Sequence, residues 1–343
     1  MENKKFLKIG SIIFFLVLAA YSCYATEHSL HLLSPNLPVV LVWAITIAFY
    51  IVASYGSKML VDALNKNIYL ENRKWHLAGG IILLLLFWLI VSMPTNTHTF
   101  FYNEQVSDVV LSDISTTEQY LVQINERQVT LPEYEEVEKE VNTKYAELNA
   151  EFNGLGPSGR RGNGQYVMQR MREINNILGS NIPIDTRVNI YDVSILNRYN
   201  SQIGKELKRV KRDKYQAPRS AVDEAGRLLE DLYVIEDTVK AMTAFGNPSE
   251  EIITQTEGVL QNAYSLIKNN QQFVSFNDGD QEYYCAEKLT TKTHQLKNVI
   301  KVWIDYLEGK YSGKGFIYWI LISILVDLGA FIFFDLAFKK EEY

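Results

Sequence analysis

Asp327 is the residue whose type and position point most directly to chemistry. It lies near the middle of an apolar segment, between Leu-Val and Leu-Gly-Ala-Phe. A lone carboxylate in the hydrocarbon of a bilayer is costly, so it is expected to be protonated, paired or turned toward a polar interior. Asp335 follows eight residues later, on roughly the same helical face. Together, the two carboxyl groups could mark a path for protons or cations.

Two interpretations of Asp327 follow from its surroundings. Segment 37–57 carries Thr46, Tyr50 and Ser54 at i, i+4 and i+8, a polar stripe able to hydrogen-bond such a carboxyl group. No basic residue lies at a comparable depth to neutralise it. In the first interpretation, a protonated Asp327 donates a hydrogen bond to another helix and ties the helices together; in the second, it handles ions or protons. We adopt the first as the expectation.

Four apolar segments predict four transmembrane helices. Each is about 17–25 residues long, and at a rise of about 1.5 Å per residue each can cross a hydrocarbon core of about 30 Å. The segments are 9–25, 37–57, 76–93 and 315–338. The third is short, so it must stand nearly upright or extend past Pro94. These boundaries divide the chain into a membrane region, 1–94, a polar domain, 95–314, and a fourth span with its tail, 315–343.

Basic residues in the short connections predict the orientation of the spans. The loop between the first two spans, 26–36, contains no Lys or Arg. Because cytoplasmic loops carry the excess of Lys and Arg, we expect both termini in the cytoplasm and the 95–314 domain outside, in a bacterial inner membrane. The basic residues that support this orientation are Lys4, Lys5, Lys8, Lys58, Lys66, Arg73, Lys74, Lys339 and Lys340.

Cys23 allows a second interpretation of the N-terminus. Lys4, Lys5, an apolar stretch and then Ser22-Cys23 resemble a lipoprotein signal that ends at a lipidated cysteine. Cleavage there would remove the first span and leave the orientation of the others unchanged. We expect the first span to be retained.

The polar domain is expected to be an elongated extracytoplasmic helical bundle or coiled coil, which makes the predicted fold class all-α. Its apolar residues recur at spacings of three and four, without the alternation of period two that indicates strands. A chain that leaves the membrane and returns needs an even number of axial passes, so one of seven predicted helices must be lateral or broken, and 165–178 is the candidate. The apolar stripes lie at 134–152, 225–242, 253–267 and 289–307, with weaker ones near 104–127, 165–178 and 187–214.

Charge in this domain is arranged in blocks. Residues 104–153 and 221–314 are acidic overall, and residues 154–220 are basic. The basic middle is expected to pack beside the acidic flanks, which guides pairing more than it stabilises, because exposed ion pairs contribute little. The alternative is a basic face, 205–214, left open for an acidic partner.

Two motifs resemble binding sites without the context that such sites need. Residues 154–159 match G-x-G-x-x-G, but a dinucleotide site requires a preceding strand, and a helix is predicted here, so we expect a flexible loop. Glu27, His28 and His31 could bind zinc with His98 if their loops meet, although short loops often carry such residues by chance. We predict no metal, no cofactor, no catalytic residue and no nucleic-acid partner.

The exit of the third span carries a resemblance to a known family. It reads Ile90-Val-Ser-Met-Pro94-Thr-Asn-Thr-His-Thr-Phe100-Phe-Tyr-Asn-Glu104-Gln-Val106. This segment and the overall topology resemble a bacterial family of four-span membrane proteins, in which a proline ends span three and a helical insert returns to a last span. The chain departs from that family after span two, where Tyr55-Gly-Ser-Lys58 replaces an Asp-Arg pair. The resemblance implies an architecture and no activity.

These observations favour a non-enzymatic membrane scaffold or sensor. Its helical domain would bind a second copy or another envelope protein, while its spans contact the lipid bilayer. The cytoplasmic segments are too short to hold a signalling enzyme, so any output would need another protein. The alternative is an oligomeric channel, or a proton- or cation-coupled membrane component, that uses Asp327.

Overall fold

The computed structural model describes residues 2–66, 68–311 and 313–338, with side chains from residue 6 onward. Lys339, Lys340 and the side chains of Lys4 and Lys5, used above for orientation, lie outside the described residues. The chain is 76% helical, and no strand occurs in the part that is described. The predicted all-α class is confirmed.

The helices follow one another through mostly short connections. A π-helical turn, Phe87–Ser92, joins the third and fourth helices. In chain order the helices are α1 Glu2–Leu33, α2 Val39–Leu64, α3 Arg73–Leu86, α4 Met93–Asn125, α5 Glu133–Phe152, α6 Gln165–Leu178, α7 Val193–Lys214, α8 Arg219–Thr243, α9 Glu250–Asn269, α10 Gln281–Tyr284, α11 Lys292–Lys297, α12 Val299–Leu307 and α13 Phe316–Ala337.

Four helical stretches are long and apolar enough to cross a membrane, which confirms the predicted number of candidate spans. Large apolar side chains project outward from them, for example Ile51, Ile90 and Leu325, each more than half exposed. Such outward apolar surface is expected of helices that face lipid. The stretches are Phe6–Leu33, Val39–Leu64, Arg73–Asn125 and Phe316–Ala337.

The helix that contains the third candidate span continues past Pro94, as one of the two possibilities from the sequence requires. α3 passes through the π-helical turn directly into α4. A proline lacks an N–H and its ring crowds the carbonyl four residues earlier, which usually ends or kinks a helix. Here the Met93 N–H donates to the Trp88 carbonyl five residues back, a local π adjustment that accommodates the proline without ending the helix.

Glycines set the closest approaches between spans. A Cβ added to Gly80 would lie 2.7 Å from the Gly56 carbonyl oxygen and 2.8 Å from the Leu60 nitrogen, so α3 and α2 are in contact through their backbones. A Cβ on Gly329 of α13 would lie 3.1 Å from Leu18 Cδ1 of α1. Small residues at helix contacts are the usual means of close packing in membranes, where lipid tails are as apolar as the side chains.

Two compact units make up the chain. The first holds the spans together with the residues up to 113, residues 239–257 and those from 290 onward. The second holds residues 114–238 and 258–289. The first unit therefore continues past residue 94 and includes three segments of the polar region.

In the second unit, α5, α6 and α7 share one apolar core. The stripes predicted at 134–152 and 165–178 correspond to α5 and α6. α7 begins at Val193, later than the stripe near 187 indicated. The shared core is formed by Val141, Leu148, Phe152, Val167, Met171, Ile174, Leu178, Ile182, Ile195, Tyr199, Ile203, Leu207 and Val210.

The stripe predicted at 289–307 is wrong as a single helix. It is broken at Asn298, whose side chain accepts hydrogen bonds from the backbone N–H groups of Ile300 and Lys301 and so starts α12. Although Leu296 is buried, Ile300 is 61% exposed and Leu307 is 78% exposed. The break therefore falls in this segment, whereas 165–178 forms an unbroken helix within the core of the second unit.

Ion pairs in the second unit only partly follow the predicted charge blocks. Arg170 Nε lies 2.8 Å from Glu147, and Lys144 lies 3.5 Å from Glu173, which joins α5 to α6. Over the described residues, however, the exposed Lys205 and Lys208 of α7 form no ion pair. Part of the basic face thus remains open.

Candidate functional site

Asp327 lies at the centre of a buried polar cluster formed by three membrane-spanning helices. Its side chain is completely buried. The Oδ1 atom accepts a hydrogen bond of 2.7 Å from Ser22 Oγ of α1, and Oδ2 accepts one of 3.2 Å from Trp88 Nε1. Ser92 Oγ, at the end of the π-helical turn, also contacts Oδ2. The carboxyl group of α13 thus joins the first and third spans.

Asn96 closes this cluster into a ring. Its Nδ2 atom donates to Ser22 Oγ at 2.8 Å and to Ser92 Oγ at 2.9 Å. Its Oδ1 atom accepts from Thr26 Oγ1 at 3.0 Å. These five polar side chains, counting Asp327, are all buried, and each has hydrogen-bond partners within the cluster.

The types of the groups set the direction of the bonds. Trp88 Nε1 can only donate, so Asp327 Oδ2 must accept. Because Asn96 uses both amide hydrogens on the serines, Ser22 and Ser92 keep their own hydrogens for the carboxyl group. The ring therefore directs three donors at two carboxyl oxygens. In this arrangement Asp327 accepts hydrogen bonds, whereas the expectation from the sequence was that it donates one, and none of the described residues forms an ion pair with it.

The cluster continues along the contact between α1 and α4. Thr99 Oγ1 donates to the Ala25 carbonyl at 2.5 Å, and Ser29 Oγ lies 2.9 Å from His98 Nδ1. His98 Nε2 lies 3.0 Å from the Leu296 carbonyl, which can only accept, so the proton is on Nε2 and Nδ1 accepts from Ser29. We call this contact the polar seam: Ser22, Thr26 and Ser29 of the first span facing Ser92, Thr95, Asn96, His98 and Thr99.

Sequence spacing explains how the polar seam forms. Ser22, Thr26 and Ser29 recur at i, i+4 and i+7, which places them on one face of α1. Ser92, Asn96 and Thr99 have the same spacing across the end of the π-helical turn and the start of α4. Small hydroxyl and amide side chains let the helices approach closely while hydrogen-bonding across the contact.

The hydroxyl groups predicted on the second span do not contact Asp327. Thr46 Oγ1 donates to the Val42 carbonyl at 2.8 Å, and Ser54 Oγ donates to the Tyr50 carbonyl at 2.9 Å, both within α2. The Tyr50 hydroxyl is buried and has no hydrogen-bond partner among the described residues. Its ring packs against Phe87 and Phe331 at centroid distances of 5.5 and 5.7 Å.

Asp335 belongs to a separate polar contact. Lys58 Nζ lies 3.2 Å from its carboxyl group and 2.8 Å from that of Asp62. Asp335 therefore joins α13 to α2, near the end of the spans opposite the polar seam. Asp327 and Asp335 have different partners, so among the described side chains no hydrogen bond or ion pair links the two carboxyl groups into one path.

None of the observed partners of Asp327, which are Ser22, Trp88 and Ser92, is predicted from the sequence. In the sequence, Ser22 stands out only as the neighbour of a possible lipidated cysteine, and Trp88, Ser92 and Asn96 carry no signal that points to Asp327. A usable signal was present, because serine and threonine at helical spacing inside an apolar segment indicate a helix contact. The predicted domain boundary at residue 94 places the segment after Pro94 in the polar domain, so it separates Thr95, Asn96, His98 and Thr99 from the spans.

The histidines near the end of α1 form an aromatic stack. The His28 ring lies 5.9 Å from that of Tyr24 and 5.8 Å from that of Tyr102, and His98 lies 6.1 Å from Tyr102. Among the described residues, no group of three His, Cys, Asp or Glu side chains could hold a metal ion. The zinc interpretation of these histidines therefore has no structural support.

No family model matches this chain, and comparisons with curated proteins and with solved structures give no match. The resemblance to a four-span bacterial family therefore stays a prediction.

Proposed function

We propose that this chain is a non-enzymatic membrane scaffold or sensor whose helical domain binds a second copy or another envelope protein. The observation that carries the proposal is the closed ring around Asp327. A carboxyl group that is buried completely and contacted by Ser22, Trp88 and Ser92 acts as a tie between helices. Asn96 bridges the two serines and closes the ring. An amide side chain does not gain or lose a proton, so Asn96 offers no next step for a proton path.

A surface of the second unit supports partner binding. The loop after α5, the start of α6 and the loop before α7 meet around a cavity of about 390 Å³. Arg161 lies over the Tyr191 ring at 5.8 Å. Tyrosine and arginine are enriched at protein interfaces. The exposed apolar residues of these loops and of the first turns of α6 and α7 are Leu155, Tyr166, Val188, Ile190, Tyr191 and Val193.

The charges beside this surface favour an acidic partner. Arg187 donates to Asp185, which holds the pKa of that carboxyl group well below its usual range and neutralises the arginine within the domain. Arg160 and Arg161, in contrast, are exposed at the cavity without an acidic partner among the described residues. These two guanidinium groups are available to carboxylates of a bound protein.

We further propose a bacterial inner membrane location, with both termini in the cytoplasm and the large domain outside. In intact cells, a membrane-impermeant thiol reagent is expected to label an introduced cysteine at Tyr233, which is half exposed on α8. It should not label one at Lys66 until the membrane is permeabilised. External labelling at Lys66 would reject this orientation.

The alternative function, an ion channel or an ion-coupled component, is favoured by one observation: Asp327 is a buried carboxyl group within a membrane span. The two functions are separated by ion flux. Purified protein in sealed vesicles is expected to show no proton or cation flux above empty vesicles, because the cluster of Asp327 is closed by Asn96 and the serines. Reproducible flux that Asp327→Asn abolishes, while Thr46→Ala leaves it intact, would establish the alternative.

A further inference from the structure

α12 carries an unusual amount of apolar surface for a helix outside the four spans. Its exposed face consists of Ile300, Ile304 and Leu307, which recur at i, i+4 and i+7 and are 61%, 44% and 78% exposed. On its other side, Val299 and Val302 are buried. A helix that is apolar on opposite sides is typical of one surrounded by protein on one side and lipid on the other.

Contacts of α12 place it beside the end of the membrane-spanning helices. Trp303 Nε1 donates to the Pro94 carbonyl at 3.1 Å. The Tyr306 ring stacks on Phe316, the first residue of α13, at 4.4 Å, and Phe316 also contacts Phe101 at 4.9 Å. α12 therefore lies alongside the third span at the level where the fourth span begins.

The length of α13 relates this level to the bilayer. Its 22 residues span about 33 Å, close to the hydrocarbon thickness of about 30 Å. Phe316 is thus expected at the boundary of the hydrocarbon. Tryptophan and tyrosine are enriched at this boundary, and Trp303, Tyr306 and Trp319 all lie here.

The charges of α12 are neutralised locally. Asp305 is 5% exposed and contacts Lys301 at 2.5 Å and Lys310 at 3.0 Å. Burying an unpaired carboxylate beside lipid would be costly, whereas this arrangement gives the carboxyl group two cationic partners. The long lysine side chains can keep their amino groups near the headgroups.

A groove connects α12 to the lipid-facing side of α13. It encloses about 530 Å³ and is lined by Tyr306, Leu307, Tyr311, Phe316 and Ile317, with glycines in the intervening loop. Ile317 is 62% exposed, and the exposed apolar surface continues down α13. The groove is therefore continuous with the surface that faces lipid.

We propose that α12 is an interfacial helix that inserts into one leaflet. Its exposed row, Ile300, Ile304 and Leu307, lies among acyl chains, and the groove beside Ile317 holds an acyl chain of the same leaflet. The occupant is bilayer lipid because the row and the groove extend a lipid-facing surface that α13 already presents. The proposal is independent of which side of the membrane carries the large domain.

The test uses the full chain in vesicles of phosphatidylethanolamine and phosphatidylglycerol. An environment-sensitive fluorophore is attached to single cysteines introduced at Ile300, Ile304, Leu307 and Ile317. The parent protein carries Cys285→Ser and keeps the buried Cys23, and its own labelling gives the background signal that is subtracted. A cysteine at Leu321, 55% exposed on α13, is the lipid-facing control, and one at Tyr233 is the aqueous control. Quenchers are a lipid with a nitroxide near the headgroup end of its chain and aqueous iodide.

We expect all four labels to be quenched by the nitroxide lipid within about twofold of the Leu321 control, and by iodide about fivefold less than the Tyr233 control. Iodide quenching comparable to the Tyr233 control would place the row in water and overturn the proposal. Protection from both quenchers would show that another protein surface, such as a second copy, covers the row, and would also overturn it.

Discussion

Asp327→Leu is expected to destabilise the membrane region, because it removes the acceptor at the centre of the buried polar cluster. Leucine has a similar size but no acceptor, so the buried Ser22 and Ser92 and the partly buried Trp88 would each lose the acceptor of their hydrogen bond. Leaving buried donors unsatisfied costs about 1–3 kcal/mol, and a loss of about 2 kcal/mol is expected here, because the serines can find other partners. The measurement is thermal unfolding of the purified protein in detergent, followed by helix content.

Two variants serve as controls for this prediction. Asp327→Asn retains one acceptor oxygen, and the Ser22 hydroxyl group can rotate to accept from the new amide, so this variant is expected to stay within about 1 kcal/mol of the parent protein. Ser323→Ala removes a completely buried hydroxyl group, one turn away on the same helix, that has no hydrogen-bond partner in the part of the chain that is described, and it is expected to leave stability unchanged. If Asp327→Leu were as stable as Ser323→Ala, the ring would not hold the helices together. A well-assembled but inactive Asp327→Asn protein would indicate a coupling role instead.

Gly80→Ala is the second change with a large expected effect. The added methyl group would lie 2.7 Å from the Gly56 carbonyl oxygen and 2.8 Å from the Leu60 nitrogen, both backbone atoms that cannot rotate away. α3 and α2 must then separate along their contact. Overpacking of this kind typically costs about 1–3 kcal/mol, so a clear fall in the unfolding temperature is expected in the same assay.

The neighbouring glycine provides a matched control. A Cβ on Gly79 would meet only Met59 Cε, at 3.1 Å, and that methyl group is the end of a flexible side chain. Gly79→Ala should therefore be neutral or slightly stabilising, because alanine is the better helix former by about 1 kcal/mol. Equal destabilisation by the two variants would contradict the close contact between Gly80 and Gly56.

Local sequence signals were sufficient to predict the all-α fold class and the number of candidate membrane spans. A run of apolar residues long enough to cross a bilayer is a property of a single segment, and so is the three- and four-residue spacing that predicted α5 and α6. The same reasoning failed at 289–307, where an apolar stripe looked continuous. Asn298 caps a new helix there, and the restart changes which side chains face the protein.

The sequence by itself determined that Asp327 lies in a membrane span and needs polar partners, because the cost of a carboxyl group in hydrocarbon depends on its own segment alone. Only the tertiary structure decided which partners these are. Ser22 is 305 residues away, and the π-helical turn before Pro94 sets how Ser92 and Asn96 face it. The rotation of each helix about its axis depends on close packing at contacts such as Gly80 with Gly56. The hydrophobicity of one segment carries no information about that rotation. From the sequence alone, Thr46, Tyr50 and Ser54 of the second span were therefore as plausible partners of Asp327 as the polar seam residues of the first span.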